Sequence, residues 1–159
     1  MDYLTLKWIH ILSSTLLFGT GIGSAYYMLF TSLRARRSGD PRAVAVVVRQ
    51  VVLADWLFTT PTAIVQPVTG FYLLDVAGMP WTTGWILWSL VLYVIAGACW
   101  LPVVWIQIRM AQMAEHAADA GEPLPRRYWR YHVVWTALGW PAFIAFIAIF
   151  FLMVVKPSV

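Results

Sequence analysis

The chain contains little charge and almost no cysteine. Only 11% of its 159 residues are charged, and its one cysteine, Cys99, lies inside an apolar run. A single cysteine excludes a disulfide within the chain and a zinc cluster built from several cysteines. The sequence signatures of P-loop, dinucleotide-binding, zinc-protease and serine-hydrolase sites are absent too. These absences exclude many common classes of soluble enzyme.

Apolar residues dominate instead, at 61% of the chain, and the mean hydropathy is +0.73. A soluble domain of this size does not need so much apolar material. The residues form long runs that predict membrane spans over 4–30, 51–74, 85–108 and 131–155. The first run is too long for a signal peptide and lacks a cleavage site, so we expect it to be retained. Short connections predict one domain, an all-α antiparallel four-helix bundle in a lipid bilayer.

The arginines are confined to two regions of the chain. All nine lie between the first and second spans or around the connection of the third and fourth. Basic residues beside spans usually determine topology, so the net charge of +4 does not indicate nucleic-acid binding. The positive-inside rule places both regions in the cytoplasm of a bacterium and both termini outside its inner membrane. Anionic lipid binding is a secondary role open to these loops.

A stripe of polar residues follows the second span. Its members recur at helical spacing, which puts them on one face: Asp55, Thr59, Thr62, Gln66 and Thr69. Polar groups are costly in hydrocarbon unless they face other helices or a cavity, so the stripe predicts the wall of an internal site.

Two prolines, Pro61 and Pro67, interrupt the same span. Proline lacks a backbone N–H, and its ring clashes with the carbonyl four residues earlier. We therefore expect two kinks, each freeing a carbonyl that needs another partner within the protein.

His10 is the sharpest candidate for chemistry. It lies about one turn inside the first span and heads a face of small and polar residues that includes Ser14. A neutral imidazole in a helix bundle can ligate haem iron, and small neighbours leave room for a flat macrocycle. The alternative is a structural histidine that is hydrogen-bonded to Gln66, a serine or Lys7. When the predicted spans are aligned by depth in the membrane, His10 and Gln66 lie at the same level.

Haem ligation by two histidines is not supported. His132 belongs to the opposite membrane surface, and His116 lies in a loop. A haem b held by His10 would take a methionine, Met79 or Met153, as its sixth ligand, or none.

Asp55 is the second candidate. In register it lies near Tyr26, Gln107 and Trp135, on the arginine-rich side. A buried carboxyl without a partner would be protonated and could relay protons. The alternative is a structural ion pair, and the available partners are Arg49, Arg109 and His132.

Several segments together resemble a family of predicted bacterial integral membrane proteins of unknown function. They are Lys7-Trp-Ile-His10, Phe18-Gly-Thr-Gly-Ile-Gly23, Leu53-Ala-Asp-Trp-Leu-Phe-Thr-Thr-Pro61, Gln66-Pro-Val-Thr-Gly70 and Ala98-Cys-Trp-Leu-Pro-Val-Val-Trp-Ile-Gln107. The resemblance covers nearly the whole chain and implies a four-span protein of the bacterial inner membrane.

The start of the first span is also distantly similar to HemJ-type membrane protoporphyrinogen oxidases and CopD-type copper-resistance domains. Both carry a histidine in the first helix of a small bundle. HemJ-type proteins are haem-associated oxidoreductases, and only His10 and its neighbourhood carry over. The resemblance therefore implies haem binding through this residue.

Three functions are compatible with these features. The first is a haem- or porphyrin-binding membrane protein with a redox role, in which His10 and Ser14 contact the cofactor, Gln66 and Thr69 orient ligand or substrate, and Asp55 handles protons. The second is a small proton-coupled transporter, which would require a homodimer. The third is a non-catalytic accessory or assembly subunit of a larger membrane complex.

Overall fold

The computed structural model describes residues 2–157 as helices joined by short turns. In chain order they are α1 (Tyr3–Ser38), α2 (Arg42–Ala54), a π-helical turn (Asp55–Thr59), α3 (Thr60–Val76), α4 (Gly84–Ala120) and α5 (Arg126–Val155). The second, third and fourth of these elements follow one another without a break. The described chain therefore contains four long helical rods, each long and apolar enough to cross a membrane. This confirms the all-α, antiparallel four-helix membrane bundle predicted from the sequence.

Local signals in the sequence set the helix ends. Asp2 caps α1 by accepting a hydrogen bond from the backbone N–H of Thr5, at 3.2 Å. Hydrogen bonds from the side chain and backbone of Thr5 lower the pKa of this carboxyl. Gly39 ends α1 and Gly121 ends α4, with φ angles of 76° and 66°. This left-handed conformation favours glycine.

The helices continue beyond the predicted spans at one end of the bundle. α1 runs on from residue 30 to Ser38, and α4 runs on from residue 108 to Ala120. At about 1.5 Å per residue, the 37 residues of α4 measure about 55 Å, against about 30 Å of hydrocarbon. The arginines lie at this end, which we call the basic end. The terminal end is the opposite one, where α1 begins and α5 finishes.

The apolar core lies in the basic half of the bundle. Its fully buried members come from α1, α2, α4 and α5 and include Met28, Val44, Val48, Met110 and Tyr128. Here α2 packs closely against both α1 and α4, and α4 packs against α5. Close backbone approach therefore holds the helices together in this half.

The terminal half consists of two helix pairs. α3 packs on α1, and α4 packs on α5, but α3 and α4 have little backbone contact with each other. Aromatic rings fill the space between the pairs. Phe18 of α1 stacks on Phe143 of α5, with ring centroids 5.8 Å apart, and meets Phe150 edge-on at 5.2 Å. The two pairs are joined here by large side chains.

A hydrogen bond crosses the same space and repairs the break caused by Pro67. The ring nitrogen of Pro67 cannot donate to the carbonyl of Ala63, four residues earlier. The hydroxyl of Tyr93 in α4 donates to that carbonyl instead. The proline in α3 thus creates an acceptor that links α3 to α4, as the sequence predicted for its freed carbonyls.

We expect Tyr93→Phe to destabilise the protein by about 1 kcal/mol, because the Ala63 carbonyl loses its donor in an apolar setting. Pro67→Ala restores the helical donor, so the same substitution should cost less in that background. Unfolding in detergent micelles of the two single variants and the double variant measures the coupling. Tyr72→Phe, at an exposed position on α3, is the control. Equal costs of Tyr93→Phe in both backgrounds would contradict the assignment.

Candidate functional site

The polar stripe of the second rod faces the interior of the bundle. Asp55, Thr59, Thr62 and Thr69 are buried, and Gln66 is half-buried. Residues on the opposite face are exposed, and these include Trp56, Leu57, Ile64 and Phe71. The predicted periodicity is therefore found in the structure. The stripe holds two polar clusters, one towards each end of the bundle.

The first, the His10 cluster, consists of His10, Ser13, Thr62, Gln66 and Thr69. His10 Nδ1 lies 2.8 Å from the hydroxyl oxygen of Thr69. The backbone carbonyl of Gln66 lies beside the same imidazole. The register argument thus placed His10 and Gln66 correctly in one layer. The side chain that contacts the His10 ring nitrogen directly is Thr69, which the sequence analysis expected to orient a ligand or substrate.

The Thr69 hydroxyl determines which nitrogen of His10 carries hydrogen. This hydroxyl donates to the backbone carbonyl of Val65, at 2.7 Å. Its single hydrogen is therefore committed, and its oxygen is left to accept from His10 Nδ1–H. In this network Nε2 is the unprotonated nitrogen with a free lone pair. That is the tautomer needed to ligate a metal through Nε2.

Ser13, rather than Ser14, faces the second rod. The Ser13 hydroxyl donates to the carbonyl of Thr62 at 3.3 Å and is buried. Ser14 donates to Ile11 of its own helix, at 2.7 Å. The predicted cofactor contact from Ser14 is therefore not positioned beside Thr69. The spacing of three residues from His10 to Ser13 was the available signal, since it also places a side chain on the same face.

Gly70 and Gln66 shape the rest of this cluster. A Cβ atom at Gly70 would lie 3.5 Å from His10 Cε1, at ordinary van der Waals contact, so α3 packs closely beside the edge of the imidazole. Gln66 Oε1 is buried and has no hydrogen-bond partner among the described residues. A buried acceptor of this kind normally meets a donor. Gln66 Oε1 is therefore an acceptor without a donor, at the same level of the bundle as His10.

The second, the Asp55 cluster, consists of Asp55, Thr59, Gln107 and Trp135. The Thr59 hydroxyl donates to Asp55 Oδ1 at 2.8 Å. With its amide oriented to match its neighbours, Gln107 donates to Asp55 Oδ2 at 2.7 Å and accepts from Trp135 Nε1 at 3.2 Å. Trp135 can only donate, so it fixes the orientation of Gln107. Both carboxyl oxygens of Asp55 accordingly receive a hydrogen bond.

This arrangement differs from the ion pair considered for Asp55. Its direct partners are neutral groups, and Arg49, Arg109 and His132 are not among them. Burial opposes a charge on the carboxyl, whereas two donated hydrogen bonds favour it. Each oxygen also keeps a lone pair that can take a proton. The cluster can thus accommodate both protonation states, as a proton-relay group must.

Asp55 begins the π-helical turn, and Pro61 explains why the turn is there. The backbone N–H of Thr60 donates to the carbonyl of Asp55, five residues earlier. Widening the helix relieves the clash between a proline ring and the carbonyl four residues before it. The Trp56 carbonyl would pair with the N–H of Thr60 in an α-helix and with that of residue 61 in a π-helix. Thr60 already donates to Asp55, and Pro61 has no N–H, so the Trp56 carbonyl has no helical donor. π-helical turns of this type often occur at functional sites.

Gln107→Leu should destabilise the protein by about 2–4 kcal/mol, because it leaves Asp55 Oδ2 and Trp135 Nε1 buried without partners. Gln112→Leu is the matched control: Gln112 is exposed on the same helix and bonds only to Arg109, so little change is expected. Thermal unfolding in detergent compares the two. Similar losses in both variants would contradict the network.

The donor sets limit what these clusters can hold. Within residues 2–157 there is no group of three or more His, Cys, Asp or Glu side chains placed to bind a metal ion. A metal carried by its own macrocycle needs only one or two ligands from the protein. His10 can supply one through Nε2, and Gln66 can accept from a polar substituent beside it.

Comparison with known proteins adds the family of the chain. No curated protein and no solved structure matches it. A family profile described as "Predicted integral membrane protein (DUF2269)" matches residues 4–157, which is nearly the full length. The four rods of the structure agree with that description. The chain therefore belongs to the DUF2269 family of predicted integral membrane proteins.

Proposed function

We propose that this integral membrane protein binds haem b, or a related porphyrin, through His10 and has a redox role. The observation that carries the proposal is the hydrogen bond between His10 Nδ1 and Thr69, with the Thr69 hydrogen committed to Val65. This network presents Nε2 as a ligand and holds the ring in place, as outer-shell partners of ligating histidines do.

The residues of the cluster fit such a group. A porphyrin supplies four nitrogen ligands itself, which suits a site with one histidine. The buried Gln66 Oε1 would accept from a protonated propionic acid group of the porphyrin. Bound haem would supply one-electron chemistry. Met79 or Met153 would supply a second protein ligand to the iron, or the protein would supply none.

The polar residues of the second rod take different parts in this function. Thr69 orients His10, and Gln66 positions the bound group or substrate. Asp55, in its own cluster of neutral donors, exchanges protons on the side of the basic end. If the distant resemblance of the first span to HemJ-type proteins extends to activity, the reaction is porphyrinogen oxidation, with the electrons passed to an acceptor from outside the chain. The protein would lie in a bacterial inner membrane with its basic end in the cytoplasm.

An absorption spectrum tests the proposal. Protein purified in detergent from cells supplied with a haem precursor should show a Soret band that shifts on reduction with dithionite. His10→Ala should abolish the band, and Thr69→Val should weaken haem affinity about tenfold, because it removes the acceptor for Nδ1–H. His116→Ala, at an exposed histidine, should leave the spectrum unchanged. A colourless, folded wild-type protein would contradict haem binding.

Proton-coupled transport is the second candidate, and the Asp55 cluster is the observation that favours it. A buried carboxyl at a break in a transmembrane helix is a common arrangement in transporters. One four-rod bundle is small for an alternating-access pathway, so this function would require two copies. Gly19 and Gly23 of α1 leave room for a second helix, since a Cβ at either position would meet no atom within 4 Å.

Proteoliposomes containing a pH-sensitive dye test this second function. Under an imposed potassium diffusion potential, a proton-conducting protein should acidify the interior. Asp55→Asn should stop the acidification, because the amide cannot exchange a proton. Asp75→Asn, at an exposed position near the end of α3, should not. Equal fluxes through the wild-type protein and Asp55→Asn would exclude Asp55 from the pathway.

A further inference from the structure

A cleft opens between α1 and α5 at the basic end, on the side of the Asp55 cluster and away from the His10 cluster. Its volume is about 490 Å³. α1 contributes Leu33 and Arg36, and α5 contributes Trp129, Arg130, His132, Val133 and Val134. The two helices meet here mainly through side chains, such as the 2.7 Å hydrogen bond between Ser32 and Tyr128. The cleft therefore follows the seam between the first and last rods.

The polar part of the cleft is basic. Arg36 and Arg130 line opposite walls, and the lining residues include no acid. The Arg36 guanidinium carbon lies 5.3 Å from the centroid of the Trp129 ring, a cation–π contact that holds it at the cleft. Two guanidinium groups facing one space without a carboxylate favour an anionic occupant, and arginine matches phosphate oxygens well.

His132 provides an independent indication of a ligand. The residue is only 6% exposed and lines the cleft, yet its Nε2 has no hydrogen-bond partner in the described part of the chain. Aromatic rings of Tyr128, Trp129 and Trp135 surround the imidazole. None of these residues forms a hydrogen bond with Nε2, although a buried ring nitrogen normally has a partner. In the tautomer with hydrogen on Nε2, a phosphate oxygen seated against His132 would accept from it.

The apolar part of the cleft indicates the source of the anion. Leu33, Val133 and Val134 are 39%, 66% and 46% exposed and belong to helices that can cross a membrane. Such side chains on the outside of a membrane bundle face acyl chains. A free phosphate ion would use only the arginines and the histidine. A phospholipid would use the whole surface, with its headgroup at the basic end and its chains along the apolar wall.

We propose that this cleft is a binding site for the phosphate headgroup of an anionic glycerophospholipid, held by Arg36, Arg130 and His132 with its acyl chains against Leu33 and Val133. Basic pockets between helices near a membrane surface bind anionic headgroups in this way. The site is separate from His10 and does not depend on haem binding.

Native mass spectrometry of the full chain in detergent tests the site. Phosphatidylglycerol and phosphatidylcholine of equal chain length are the probes. The wild-type protein should retain phosphatidylglycerol at least about tenfold more tightly than phosphatidylcholine. Arg36→Gln and Arg130→Gln should each weaken phosphatidylglycerol binding about tenfold, because each removes a charge-assisted contact with phosphate.

Arg34→Gln is the matched control. It makes the same change in charge on the same helix, but Arg34 does not line the cleft. Its binding of phosphatidylglycerol should equal that of the wild-type protein. Circular dichroism verifies that all variants are folded, and an exchange of Arg130 for Lys, which keeps the charge, should recover part of the binding.

Three outcomes would overturn the proposal. Equal binding of the two lipids would show that the cleft does not select an anion. An equal loss in Arg34→Gln and Arg36→Gln would show that net charge, not this cleft, attracts the lipid. Displacement of phosphatidylglycerol by millimolar inorganic phosphate would assign the site to a soluble anion, since the acyl contacts would then contribute nothing.

Discussion

Backbone hydrogen bonding in the second rod is the constraint on which the structure depends. Hydrocarbon offers no partners to an open carbonyl, so each one must be satisfied within the protein. Pro61 and Pro67 break the helical pattern twice within two turns. A π-helical turn accommodates Pro61 but leaves the Trp56 carbonyl without a helical donor, whereas the hydroxyl of Tyr93 satisfies the carbonyl that Pro67 frees. The second of these also links α3 to α4 across the terminal half of the bundle.

The same constraint explains part of the polar stripe. Thr62 donates to the backbone of Phe58 and Thr59, and Thr69 donates to Val65. These threonines therefore serve the backbone of their own helix first. Such bonds also fix the direction of the remaining lone pair of each hydroxyl. Thr69 shows the consequence, because its committed hydrogen makes it an acceptor for His10. One side chain thus satisfies a backbone carbonyl of its own helix and holds the imidazole of His10.

Sequence periodicity predicted the bundle and the inward face of the second rod, because burial of polar groups in a membrane permits few alternatives. Depth along each helix also brought Gln107 and Trp135 to the level of Asp55, as the structure has them. The π-helical turn was not predicted, since its formation depends on how Pro61 is accommodated in three dimensions. The rotation that turns Ser13 inward in place of Ser14 was missed for a similar reason.

The partners of Asp55 differ from the ion pair that the sequence left open as an alternative. Arginines are numerous near the basic end, and an ion pair was the natural expectation for a carboxylate among them. Three of the helices extend well past the predicted spans, which carries most of the arginines away from the level of Asp55. The carboxyl is left inside the bundle with a threonine and a glutamine. Neutral donors can position the carboxyl and still allow it to take up a proton, because no positive charge beside it stabilises the ionised form. A proton-exchanging role for Asp55 thus rests on the length of the helices as much as on its direct contacts.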